Sequence, residues 1–345
     1  MEHSLSAHLF LSSTCTTPMS RPHPRSMSNL LRTGLTSQLC LTSRRPRSKL
    51  MTRYGRLTYV PAIHYHLPLI EEPMPPDYEL QSYWHTRFEK ERHFEWLGNG
   101  ADTILPHVRT YLCDSQTSAR SSPTQPARLL HIGAGTSSLP ERIRELYHDV
   151  YGAEVDERAI VHTDFAANLV ARQQEKEAAL AVGGPRKGMR WICADAMKWG
   201  ELHAALDMDG EHITFDLVVD KSTSDAISCG DDVSYSSPDP GLHPAINKYL
   251  ATHEGRTMTF VPVEVLAVHL ASLVRPGGLW VALSYSSNRF SFLSSPEPPD
   301  ATLPRAANYW VIENVIAVDA PTGMKENGHA PVVQHYIFLL RRRKA

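Results

Sequence analysis

Four short apolar runs, each closing on a glycine or an aspartate, constrain this chain more than any other feature. Arg128-Leu129-Leu130-His131-Ile132 runs into Gly133, and Ala159-Ile160-Val161-His162-Thr163 ends on Asp164. Met189-Arg190-Trp191-Ile192-Cys193-Ala194 ends on Asp195, and Phe215-Asp216-Leu217-Val218-Val219 on Asp220. Helical spacing follows the first run at 139–147, and an alanine-rich helix with alternating charge follows the second at 165–180. Strands that are apolar throughout and punctuated by helices predict a doubly wound α/β fold, its mostly parallel sheet covered on both faces. The functional groups of such a sheet gather at the carboxyl ends of its strands. A helix over 262–273, the turn Arg275-Pro276-Gly277-Gly278 and a strand at 279–283 extend the pattern. Strand-like runs at 310–318 and 332–340 predict an antiparallel edge hairpin at the C-terminus.

The first 76 residues have another texture. No acidic residue occurs between Glu2 and Glu71, while Arg21, Arg25, Arg32, Arg44, Arg45, Arg47, Lys49, Arg53 and Arg56 stand among serines and threonines. An arginine-rich, acid-poor leader of this kind reads as a disordered tail, as a mitochondrial presequence, or as sequence upstream of a true start at Met51. The proline-rich hinge Glu71-Glu72-Pro73-Met74-Pro75-Pro76-Asp77 sets the domain boundary, with one domain over 77–345. The expected location is the cytoplasm, or the mitochondrial matrix if the leader is a presequence. Five cysteines are spread singly with no CxxC pair, which argues against a structural zinc site or a disulfide framework. His64-Tyr65-His66 lacks a third ligand nearby, so no metal is expected. A net charge of −2 gives no general affinity for nucleic acid or membrane surfaces, and no apolar run reaches the ~20 residues of a spanning helix. A monomer is expected.

The glycine turn Gly133-Ala134-Gly135-Thr136-Ser137 between strand and helix lets the backbone approach a ligand and points amides at it. Alone it fits any nucleotide. A dinucleotide fingerprint needs a third glycine where this chain has Ser138, which weakens a nicotinamide-dependent oxidoreductase as the alternative. Asp164 is placed to accept from ribose hydroxyls and Asp195 from an adenine amino group, although each aspartate singly also reads as a helix N-cap. Asp220, beside Lys221, is the candidate catalytic carboxylate: next to an acceptor it would stabilise positive charge passing from a sulfonium to a nitrogen. A surface ion pair is the plainer account of Asp220-Lys221.

Tyr83-Trp84-His85-Thr86-Arg87-Phe88, Phe94-Glu95-Trp96, the glycine turn, Asp164-Phe165, Ala194-Asp195-Ala196, Asp220-Lys221-Ser222-Thr223-Ser224-Asp225-Ala226 and Val274-Arg275-Pro276-Gly277-Gly278 together resemble the seven-strand (class I) S-adenosylmethionine-dependent methyltransferases. Within them the likeness is to the elongation factor 1-alpha and citrate synthase lysine methyltransferases, over 78–345. The resemblance implies a seven-stranded Rossmann-like sheet, an N-terminal helical lid, S-adenosylmethionine as cofactor and a protein lysine as acceptor; a small-molecule acceptor is the alternative within that chemistry, and a catalytically silent binding module lies outside it. By the resemblance Trp84, Phe88 and Trp96 form the lid, Gly133 and Gly135 contact the cofactor, Asp164 and Phe165 flank its ribose, Asp195 and Ala196 hold its adenine, and Lys221 touches it from the fourth strand. Tryptophan faces beside a sulfonium are cation–π partners, whereas the plainer account of Trp84 and Trp96 is helix core. The family usually has Lys-Gly-Thr and a large residue before Asp-Ala; here Ser222 and Ser224 stand in those two places. Segments 230–256 and 286–306 are longer than in small members and read as shaping the acceptor entrance or as surface insertions.

Overall fold

The computed structural model describes residues 76–118, 125–181, 188–207, 213–294, 303–320 and 333–344. The leader and its His64-Tyr65-His66 lie outside these residues, as do 321–332 between the last two strands. Two helices come first, α1 (Gln81–Lys90) and α2 (Leu105–Ser118). The repeating part follows as β1 (Leu129–Ile132), α3 (Leu139–Tyr151), β2 (Ile160–Asp164), α4 (Ala167–Ala181), β3 (Arg190–Cys193), α5 (Trp199–Leu206) and β4 (Phe215–Lys221). A short α6 (Thr223–Ile227) leads to β5 (Val233–Tyr235), α7 (Pro244–Thr252), β6 (Met258–Phe260) and α8 (Pro262–Leu273). The chain closes with β7 (Val274–Ser284), β8 (Trp310–Asp319) and β9 (Gln334–Arg342).

Seven strands form one sheet in the order β3-β2-β1-β4-β7-β9-β8, while β5 and β6 pair apart from it. The first five are mutually parallel; β9 runs antiparallel to both β7 and β8, which gives the expected edge hairpin. This is the seven-strand α/β architecture that the sequence motifs imply. Alternation along the strands divides the core in two, as a sheet with helices on both faces requires. Leu129, Leu217, Val219, Leu279, Val281, Leu283 and Ile337 pack with α2 and α3, through Ile104, Val108, Leu112, Ile143 and Tyr147. Leu130, Ile132, Val218, Trp280, Ala282, Phe338 and Leu340 face α5, α7 and α8. Helix α8 is buried nearly throughout, Glu264 and His269 included, and the Trp310 indole N–H reaches the Ala267 carbonyl at 2.8 Å to dock the edge hairpin on it.

Segment 230–256 is not plain loop: β5 and α7 lie inside it, and Ile246 and Leu250 of α7 are core residues. The strand order runs outward in opposite directions from β1 and β4, which puts the topological switch point at their carboxyl ends, in the crevice where ligands bind in open α/β sheets.

Candidate active site

The crevice starts at the glycine turn. Gly133 has φ +56°, and a Cβ there would lie 2.2 Å from the Thr223 hydroxyl oxygen, so only glycine fits. The Thr223 hydroxyl donates to the Ile132 carbonyl at 2.9 Å, which ties the turn after β4 to the turn after β1. Gly135 has φ +58°, and its N–H donates to Asp164 Oδ2 at 3.0 Å. The Thr136 and Ser137 hydroxyls are buried with no partner among the described residues. Buried polar atoms without partners are uncommon in a finished core, and these two stand side by side on the glycine turn.

Asp164 is 5% exposed and accepts from Ala166 N at 2.9 Å as well as from Gly135. Burial pushes its acid up to about 6 against the pull of those amides. It is therefore both the start of α4 and the brace of the glycine turn, and a carboxylate retains lone pairs for further donors. Phe165 follows it, partly buried, and its carbonyl accepts from the Gln81 amide of α1. At the end of β3, Asp195 Oδ1 accepts from Met197 N at 2.9 Å, while Lys198 Nζ lies 3.4 Å from Oδ2. The Ala196 carbonyl is held by His269 Nδ1 at 2.9 Å, so that α8 fixes this corner.

Helix α1 lies on α4. Phe88 is 3% exposed and packs on Ala166 and Leu169, with Trp84 against the same cluster, and its ring tip is 3.9 Å from where a Gly135 Cβ would be. Two cross-links hold the contact: Asn168 Nδ2 donates to the His85 carbonyl at 2.8 Å, and Arg172 Nη1 to the Phe88 carbonyl at 2.9 Å. Tyr78, Tyr83, Trp84, Phe94 and Trp96 form a contiguous aromatic cluster. The cation these rings face in this structure is Arg87, whose guanidinium lies 5.6 Å from Trp84, 5.3 Å from Trp96 and 4.8 Å from Phe94. The buried Trp96 indole N–H has no partner among the described residues.

Lys221 is buried, and its ammonium donates to Glu95 Oε2 at 2.9 Å and to the Gly98 carbonyl at 2.8 Å. The other Glu95 oxygen accepts from Ser138 N at 2.8 Å and from the Ser138 hydroxyl at 2.6 Å. Glu95 thus clamps the loop that carries Trp96 between the start of α3 and the end of β4. Burial alone would raise its acid, but the Ser138 and Lys221 hydrogen bonds hold it below 4.5. Sequence reading passed over Glu95, whose one signal is a carboxylate set between Phe94 and Trp96. Leu97 next to it takes φ +55°, an uncommon left-handed conformation for a branched side chain.

Asp220 differs from its expected place against an acceptor. Its carboxyl is fully buried beneath the turn into α6, where Oδ1 accepts from Thr223 N at 2.9 Å and Ser224 N at 3.2 Å, and Oδ2 has no partner among the described residues. Burial pushes this acid up to about 7. The reason lies in strand parity: Asp220 falls on the α8 side of β4, and Lys221 on the α3 side. Ser222 sits at φ +68°, which explains why glycine suits this position in the family the motifs resemble. Its hydroxyl donates to Asp225 Oδ2 at 2.9 Å, a local bond of the kind that lets a short polar residue tolerate this conformation. Beneath the glycine turn, His131 and His162 meet Nδ1 to Nδ1 at 3.1 Å, fully buried, so one donates and one accepts; burial lowers His131 to about 3 and keeps it neutral.

No group of three or more metal-ligating side chains occurs among the described residues, and no described helix is long and apolar enough to cross a membrane. No family model matches the chain. It is 29% identical over 269 residues to methyltransferase srdJ of Neurospora crassa, covering 78% of this chain and 86% of that one. Among solved structures it is similar to the N-methyltransferase NodS of Bradyrhizobium japonicum in complex with S-adenosylhomocysteine, at 10% identity and TM-score 0.34, covering 71% of this chain and 91% of that one. It is also similar to the magnesium protoporphyrin IX methyltransferase of Synechocystis with bound S-adenosylmethionine, at 11% identity and TM-score 0.36, covering 79% and 99%.

Proposed function

We propose that the chain is an S-adenosylmethionine-dependent methyltransferase acting on an amine nitrogen, a protein lysine side chain. The observation that carries the donor half is the convergence of the glycine turn, Asp164 and the Asp195-Ala196 corner along one crevice, with buried hydroxyls of Thr136 and Ser137 left open inside it. An amino-acid end at the glycine turn, a ribose at Asp164 and an adenine beside Phe165 and Ala196 suit these donors and acceptors. The start of α3 favours this reading over a dinucleotide: the helix end that would receive a pyrophosphate faces the Glu95 carboxylate of the chain itself. The similarity to methyltransferase srdJ supports the same chemistry.

When bound, the cofactor supplies a methyl group on a sulfonium, so transfer needs alignment more than acid catalysis. The residues of this chain then hold and exclude. Asp164 would hold the sugar end and the glycine turn the amino-acid end, while α1 keeps Phe88 against Gly135, the Glu95 clamp fixes the loop that carries Trp96, and Asp220 shapes the α6 turn from below.

The acceptor half rests on two acidic segments, one before α1 and one after α6, that meet at Glu79 and Gly230. Asp77, Glu79, Asp231 and Asp232 lie in segments without a lysine or arginine from 77 to 86 and from 222 to 247, and Gly230 lies against the Glu79 side chain. Acidic segments of this kind raise the local concentration of a cationic acceptor. Tritiated methyl transfer into a cell extract, followed by hydrolysis, tests both halves. Label recovered as methyl-lysine is expected; label confined to the protein-free filtrate overturns the lysine acceptor, and no label in either fraction overturns the enzyme.

A further inference from the structure

Asp225 gathers donors from two separate strand ends. It is 9% exposed, and Oδ1 accepts from the Ser284 hydroxyl at 2.5 Å and Arg289 Nε at 2.9 Å. Oδ2 accepts from the Ser222 hydroxyl at 2.9 Å and Tyr285 N at 3.1 Å. One buried carboxylate therefore joins the left-handed turn after β4 to the last residue of β7 and the loop beyond it. Its charge is matched by Arg289, whose Nη2 is 2.8 Å away. Removing such a hub leaves buried donors without partners, so the two ends hold a fixed relation.

What this hub holds in place is Tyr285. Leu283 pairs with Lys221 in the sheet, and Tyr285 follows two residues later, its N–H bonded to the same Asp225 carboxylate that holds Ser222 after β4. Its backbone is pinned, yet its side chain is 46% exposed. The ring is backed edge-on by His335 at 5.1 Å, itself 7% exposed, and Tyr78 of the lid segment is close enough to help keep the Tyr285 phenol protonated, after burial and Asp225. A large aromatic side chain that is braced on one side by His335, exposed on the other and tied through Asp225 to the turn after β4 is built as a contact surface.

We propose that Tyr285 is the acceptor-recognition residue of this site, receiving an alkylammonium chain on its ring face, and that Asp225 is the positioning residue that holds it there. The inference rests on the methyltransferase reading above. Its test uses the full chain as wild type, Tyr285→Ala, Tyr285→Phe and Asp225→Asn. S-adenosylhomocysteine binding is measured by calorimetry, and tritiated methyl transfer to protein is measured against extract concentration.

Tyr285→Ala is expected to keep S-adenosylhomocysteine affinity within about twofold and to raise the half-saturating extract concentration by roughly tenfold, in the range of a cation–π contact. Tyr285→Phe, which keeps the ring face, is expected to restore it to within about threefold, and Asp225→Asn to reproduce the alanine effect with the maximal rate less affected. Unchanged half-saturation in Tyr285→Ala overturns the inference, and so does loss of S-adenosylhomocysteine binding in that variant, which would place the ring in the donor site. If Asp225→Asn does not fold, the exposed Tyr285 variants decide alone. A wild-type chain that binds no S-adenosylhomocysteine, or binds it and labels no protein, overturns the function as well; binding and labelling by wild type with an indifferent Tyr285→Ala overturns the inference only.

Discussion

Replacing Glu95 by alanine is expected to cost more stability than its partly exposed position suggests. The substitution leaves the Lys221 ammonium, whose side chain is 4% exposed, with the Gly98 carbonyl at 2.8 Å as its remaining partner among the described residues. Breaking a buried pair on one side costs about 3 kcal/mol or more; the lower end applies because Glu95 is 23% exposed and water can reach the gap. Loss of the bonds to Ser138 at the start of α3 adds about 1 kcal/mol. The sum, roughly 4 kcal/mol, corresponds to a fall in Tm of about 8–16 °C for a domain of this size. Glu95→Ala combined with Lys221→Met removes both charges together and is expected to recover more than half of that loss, a coupling of about 2 kcal/mol in the double-mutant cycle of wild type, the two single variants and the double variant. The contribution has a sign in pH: Glu95 is held below its ordinary value, so it is complete above about 4.5 and lost as pH falls through the folded value. Melting of the four proteins by differential scanning calorimetry measures the cycle. A Tm drop of about 2 °C or less for Glu95→Ala, or additive losses in the double variant, would refute the clamp.

Asp220 behaves oppositely. Its folded acid lies near 7 rather than 3.8, so the unfolded chain ionises first and stability is lost as pH rises between those values, by roughly 4 kcal/mol in all. Urea unfolding at pH 4.5 and pH 8 is expected to show Asp220→Asn gaining on the wild type at the higher pH; a pH-independent difference would mean that Asp220 is ionised when folded. At Ser222, glycine and alanine both lose the bond to Asp225, but only alanine keeps the left-handed strain. Ser222→Gly is therefore expected to exceed Ser222→Ala in stability by about 1 kcal/mol, read from denaturant midpoints; equal midpoints would remove the strain from the account.

Most of the scaffold was legible because its signals are local. Apolar runs ending at Gly133, Asp164, Asp195 and Asp220 mark four strands of the sheet, and the 262–273 pattern coincides with α8. The edge hairpin was legible as two strand-like runs. What was hidden depends on distant contacts. β5 and β6 are three residues each, and α7 buries only Ile246 and Leu250, so neither periodicity rises above the polar texture around them. The family resemblance implies a lid role for Trp84 and Trp96, but that Arg87 occupies their faces follows only from the folded geometry. Glu95 and Asp225 matter through partners 43 to 126 and 59 to 64 residues away, respectively, which no local pattern records. The side of β4 on which Asp220 falls was readable in principle from alternation along Phe215–Lys221, had both faces of that strand not been apolar.

The central claim is that the crevice at β1, β2 and β3 holds S-adenosylmethionine. Calorimetric titration of the purified full chain with S-adenosylhomocysteine, beside the same titration with NAD and with Asp164→Ala, tests it most directly. Saturable binding of S-adenosylhomocysteine, weakened at least tenfold by Asp164→Ala, with no heat from NAD, is the predicted result. NAD binding in its place, or S-adenosylhomocysteine binding indifferent to Asp164, would contradict it.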